Sequence, residues 1–204
     1  MLGRAWSATG NGIGVKGETL TANGVGGSFE NKVGGDILYG LSSGTIKFRV
    51  DGTGRAFADG GFQPGGADFA EAMAVTGDRT RYEAGDLLVI DPSAGRHVAL
   101  AQYPYSTLVA GIYSTKPGML GTTRKVNESA PLNEIPLAVV GIVPCKVTTD
   151  NGPIHIGDLL VTSSTAGHAM RGTERSRMLG AVVGKALEPL PDGQGVIQVL
   201  VTLQ

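Results

Sequence analysis

Residues 82–101 read YEAGDLLVIDPSAGRHVALA, and residues 154–173 read IHIGDLLVTSSTAGHAMRGT. Both contain Gly-Asp-Leu-Leu-Val, at 85–89 and 157–161, so the two copies lie 72 residues apart. Two residues later comes Pro-Ser-Ala-Gly in one and Ser-Thr-Ala-Gly in the other, followed closely by His97 or His168. Further on, VAGIYSTKP from Val109 corresponds to VVGKALEP from Val182. A five-residue identity in matching surroundings indicates an internal duplication. Each copy predicts a Gly-Asp turn, a buried Leu-Leu-Val strand, a second turn and two more strands. Other strand candidates are Leu137–Val143, Cys145–Thr149 and Val196–Leu203. The last, VIQVLVTL, is apolar on both faces, as in a strand buried in a barrel or at a subunit interface. Helical periodicity is nearly absent after residue 75. The expectation for 82–204 is an all-β barrel or sandwich with pseudo-twofold symmetry.

The first part of the chain differs in kind. Of the 33 glycines, 16 fall in residues 1–64, whereas all ten prolines lie in 64–204. The change marks a boundary near Pro64 and predicts a glycine-rich arm over 1–64. Gly10-Asn11-Gly12-Ile13-Gly14 is echoed by Ala22-Asn23-Gly24-Val25-Gly26, as in short strands joined by tight turns. From Gly44, Ile46, Phe48 and Val50 alternate with Lys47 and Arg49. Asp51-Gly52 then turns the chain into Ala56-Phe57-Ala58, a β-hairpin. So few large apolar residues cannot offset the backbone entropy of ordering sixty residues. Association of three copies around one axis is the expected remedy, with glycine allowing close approach.

Composition removes several classes of function. The formal net charge is -1 and the basic residues are scattered, so no nucleic-acid footprint exists. No apolar run can span a bilayer and no secretory signal opens the chain, so membrane insertion is not expected. A single cysteine, Cys145, excludes an intrachain disulfide, and with only His97, His155 and His168 no metal or other cofactor is expected. Gly12-Ile13-Gly14-Val15-Lys16-Gly17 formally matches a dinucleotide fingerprint, but no strand precedes it and no helix follows.

Between the two parts, over 65–81, lies a joint containing GGADFAEAM, residues 65–73. Asp68 and Glu71, three apart, predict a short helix near 68–73 with Asp68 as N-cap and Glu71 completing a capping box. The same spacing would put both carboxylates on one helix face. Asp86 and Asp158 read as turn residues bonding nearby N–H groups. His97 and His168 read as turn or surface residues. A Cys145/His155 nucleophile pair has no evident third residue to orient it. Tyr103 and Tyr105, flanking Pro104, read as exposed rings suited to sugar or protein contact, or equally as rings packed in a trimer interface.

With these residues placed, the chain resembles the C-terminal region of phage neck-appendage and tail-spike proteins. Gly66-Ala67-Asp68-Phe69-Ala70-Glu71 matches their motif where a glycine-rich trimeric segment meets a β-rich intramolecular chaperone, and Gly111–Pro117 matches a later strand loosely. Ala72-Met73-Ala74-Val75 replaces the usual continuation, and the duplicated half is also similar to phage capsid decoration proteins. The resemblance implies a homotrimeric fibre, spike or appendage component of a virion, partnered by itself and by other particle or baseplate proteins. It also implies an alternative, self-cleavage near Asp68 with Glu71 as acid or base and Asp68 as its partner. The tyrosines themselves point to another, a head that binds a glycan or surface protein through Tyr103 and Tyr105.

Overall fold

The computed structural model describes residue 13 and residues 15–202. It contains two compact units, Met1–Gln63 and Pro64–Gln204. In the first, β1 (Leu38–Ser42), β2 (Thr45–Val50) and β3 (Ala56–Ala58) form an antiparallel meander. Ser43 and Gly44, at φ 49° and 80°, make the two-residue turn between β1 and β2. The Asp51 carboxylate closes the next turn by accepting from Thr53 N and Arg55 N. The hairpin expected from Gly44 onward is therefore present as β2 and β3, in the register Phe48–Ala58. Among the described residues of 8–30 the expected short strands are absent, and no described residue before Leu38 is in a strand. Glycine is costly to order, and within one chain these residues have no neighbouring strand to pair with. The first repeat, 10–14, lies almost wholly outside the described residues.

The second unit is one sheet of ten strands that closes on itself twice. Its strands are β4 (Asp68–Val75), β5 (Leu87–Ile90), β6 (His97–Leu100), β7 (Val109–Tyr113), β8 (Met119–Gly121), β9 (Glu134–Thr148), β10 (Leu159–Thr162), β11 (Ala169–Arg171), β12 (Val182–Ala186) and β13 (Gln194–Thr202). The order β9-β7-β5-β6-β4 returns to β9, making one five-stranded ring. The order β9-β13-β12-β10-β11 also returns to β9, making a second. The fifteen residues of β9 serve both, absorbing the two separate strands expected around Pro144.

The duplication survives at the level of register. Leu88 pairs with Gly111 and Leu160 with Gly184, and each pairing slips by one residue at the following valine. The parallel contact Val75–Val98 in one ring has its counterpart in Val147–Ala169. Repeated bulges of this kind bend a strand around a tight barrel.

The short helix expected near 68–73 is strand β4. Its residues pair with β9 from Asp68–Gly141 to Ala74–Glu134. The capping pattern was a local signal, and burial of Ala70 and Val75 against long-range partners outweighs it. Two stretches of 3-10 helix, Arg79–Arg81 and Arg175–Arg177, are the helical elements among the described residues.

Apolar burial lies in the second unit. Val75, Tyr82, Leu88, Val98, Ile135 and Leu137 fill the first ring. A larger cluster takes Leu87, Ile112 and Ala138 from that ring together with Leu160, Val183 and Val199 from the second. In the first unit no described large apolar residue is buried, and Leu38, Tyr39, Leu41, Ile46 and Phe57 are all exposed.

Candidate functional site

The two Gly-Asp turns behave as turn residues should. Asp86 Oδ2 accepts from Glu83 N at 2.7 Å, and Asp158 Oδ2 accepts from His155 N at 2.8 Å. Only the first is elaborated: buried Asp86 also meets Lys146 Nζ at 2.8 Å, and Lys146 bonds Glu83 at 2.7 Å. His97 and His168 each direct Nδ1 at a carbonyl two residues back, Gly95 O and Ala166 O. Cys145 is fully buried and burial pushes its thiol well above the usual range, while His155 is exposed and sits beside Asp158. A buried neutral thiol is a poor nucleophile.

Strand β4 separates Asp68 from Glu71. Alternation along the strand buries Asp68, which is 4% exposed, and leaves Glu71 in solvent, so the two do not share a face. Asp68 Oδ1 accepts from Ser114 Oγ at 3.1 Å, its backbone oxygen accepts from Gly118 N at 2.8 Å, and Oδ2 is buried with no partner. Burial pushes this carboxyl above its ordinary range, against the opposing pull of the Ser114 bond. Ser114 and Gly118 belong to residues 114–133, which carry β8 between β7 and β9. The equivalent connection in the second copy, 187–193, is much shorter.

A raised carboxyl has a stability consequence whose sign is fixed. Below the ordinary carboxylate pKa of about 4 the group is protonated folded and unfolded, and it carries no penalty. As pH rises through the higher folded value, the fold must either keep the proton or bury a charge, and stability falls. Urea midpoints of wild type and Asp68→Asn should therefore diverge from acid toward neutral pH, with the wild type losing ground. A gap that stays constant over that range would contradict the assignment.

The tyrosines differ. Tyr103 is 77% exposed, as expected, but Tyr105 is only 6% exposed and cannot be a contact ring. Its hydroxyl oxygen accepts from Asn151 Nδ2, Thr173 N and Glu174 N at 2.9–3.1 Å. Arg177 stacks 4.4 Å from its ring centre and donates to Pro104 O at 2.9 Å. Burial pushes the phenol up, yet hydrogen bonds from Thr173 and Glu174 outweigh it and leave the group below its usual value. Tyr105 holds φ 58°, a conformation rare for a bulky residue and kept only where surroundings over-determine it. Thr162 Oγ1 completes the clamp, donating to Tyr103 O and accepting from Ser106 N. The loop is thus fixed from beneath while Tyr103 stands out.

Under this loop is a cavity of about 320 Å³ lined by Val89, Asp91, Leu100, Gln102, Tyr103 and Leu108, among others. Asp91 carries no site signal in the sequence beyond a turn-forming Asp-Pro-Ser. Hydrogen bonds from the hydroxyl of Thr76 and from Ser93 pull its carboxylate down to about 2. Another cavity, of about 580 Å³, lies at the corresponding loop of the second copy, beside Asp158, Thr173 and Arg175. Among the described residues no group of three or more His, Cys, Asp or Glu is placed to hold a metal, and no helix is long and apolar enough to cross a membrane.

No protein-family model matches the chain, and no curated protein matches its sequence. Its fold is similar to that of pre-mature bacteriophage phi29 gene product 12, with a TM-score of 0.56 at 15% identity. The match covers 78% of this chain and 25% of that one, so this chain spans about a quarter of the phage protein's length. At this identity the likeness is one of fold.

Proposed function

We propose that this protein is a structural component of a phage or phage-like particle. In this reading it is a homotrimer, with residues 1–63 as fibre or spike arm and residues 64–204 as the cap or attachment head. Its partners are two further copies of itself and neighbouring particle proteins. The observation that carries the reading is the first unit's sheet: three paired strands in which no large apolar side chain is buried and Leu38, Tyr39, Leu41, Ile46 and Phe57 are exposed. An isolated three-stranded sheet that buries neither face is marginal in water, and a symmetric assembly supplies the missing core. The fold likeness to a phage protein supports the setting in which such an arm would work.

A second reading, self-cleavage beside Asp68, draws on the buried carboxyl with its unpartnered oxygen. It would act without Glu71, which faces solvent. One experiment addresses both readings. Native mass spectrometry of fresh protein should give three full-length chains, and a stable monomer at micromolar concentration would overturn the trimer. Denatured spectra should stay at full length; shortening near 66–71 that Asp68→Asn abolishes would favour cleavage instead.

A further inference from the structure

We propose that the cavity beneath the Gln102–Leu108 loop is a carbohydrate subsite that takes one uncharged or amino sugar ring of a glycan.

The cavity combines an apolar wall with a few fixed polar groups, the usual composition of a small-ligand site. Val89, Leu100 and Leu108 supply the wall, and Tyr103 supplies an aromatic face at the rim. A pyranose ring offers a matching surface, with C–H groups on one face and hydroxyls around the edge. Gln102 can both donate to and accept from those hydroxyls. Asp91 accepts from Thr76 Oγ1, Ser93 N and Ser93 Oγ, three of roughly four bonds that a carboxylate can take, so one acceptor position remains. Its fixed negative charge favours a hydroxyl or ammonium donor and disfavours an acidic sugar.

Preorganisation is the second argument. Tyr105 is locked in a left-handed conformation by four hydroxyl contacts and the Arg177 stack, and Thr162 fixes the backbone on either side. The loop that carries Tyr103 therefore loses little freedom when a ligand docks, which lowers the ordering cost of binding. The second copy provides an internal comparison. Its corresponding loop, residues 173–181, carries no aromatic side chain, and the cavity there lacks an aromatic rim.

The test is saturation-transfer NMR on the full chain with glucose, galactose, N-acetylglucosamine, glucosamine and N-acetylneuraminic acid as probes. At least one of the first four should receive saturation, the acidic sugar should not, and Tyr103→Ala should weaken binding about tenfold. Gln102→Ala should weaken it as well, and both side chains are exposed, so neither change threatens folding. Silence from all four sugars, preference for the acidic one, or binding unchanged by both variants would overturn the proposal. A monomeric result in the mass experiment would leave it standing, and its failure would leave the trimer standing.

Discussion

Replacing Gly141 with alanine is expected to destabilise the second unit by at least about 3 kcal/mol, read as a shift of the urea midpoint. Gly141 lies in the middle of β9, where the strand passes from one ring to the other, paired with Asp68 on one side and Val201 on the other. Its φ of 121° is one that L side chains rarely adopt. A Cβ there would sit 2.5 Å from Ala67 O and 2.6 Å from Asp68 Cα. Both are backbone atoms of the paired chain, so nothing can swing aside. Relief would require β4 to move off β9 and open the first ring. Gly193 is the control: it also has positive φ, at 78°, but a Cβ added to it meets nothing. Gly193→Ala should cost only the conformational term, about 1–2 kcal/mol. Equal losses at the two sites would show that β9 tolerates separation from β4.

The contrast between β5 and β4 explains what could be read from the sequence. Gly85–Val89 and Gly157–Val161 announce themselves because their turn chemistry and buried strand are local and occur twice. Even the roles of Asp86 and Asp158 follow from residues within three positions. Asp68–Glu71 also carries a local signal, and it points to a helix. The partners that make it a strand, Glu134–Gly141, are more than sixty residues away. Nothing in a nine-residue stretch reports them. Tyr105 failed as a surface residue for the same reason: the groups that bury its hydroxyl are Asn151, Thr173 and Glu174. Positions 103 and 105 read alike because both flank Pro104, and the left-handed backbone at Tyr105 distinguishes them. Asp91 stays hidden because its distinguishing partner, Thr76, lies fifteen residues back, before the whole of β5.

Leu88→Ala is the second large effect, and its value lies in where the loss is felt. Leu88 is fully buried in the first ring with Val75, Tyr82, Val98, Ile135 and Leu137. Truncation leaves a cavity in a closed ring that has little freedom to collapse, at a cost of about 2–5 kcal/mol. Were the rings independent, only signals from β4–β7 would shift to lower urea. Two features tie them together. β9 supplies a wall to each, and the larger cluster joins Leu87 and Ile112 to Leu160 and Val199. The prediction is therefore one transition, with amide signals of β10 and β12 moving to the same lower midpoint as those of β5 and β7. Far-ultraviolet circular dichroism should trace the same curve, as two-state unfolding requires. Two separated transitions, with β10–β13 holding at the wild-type midpoint, would mean that the duplicated copies remain separate folding units and that β9 only tethers them.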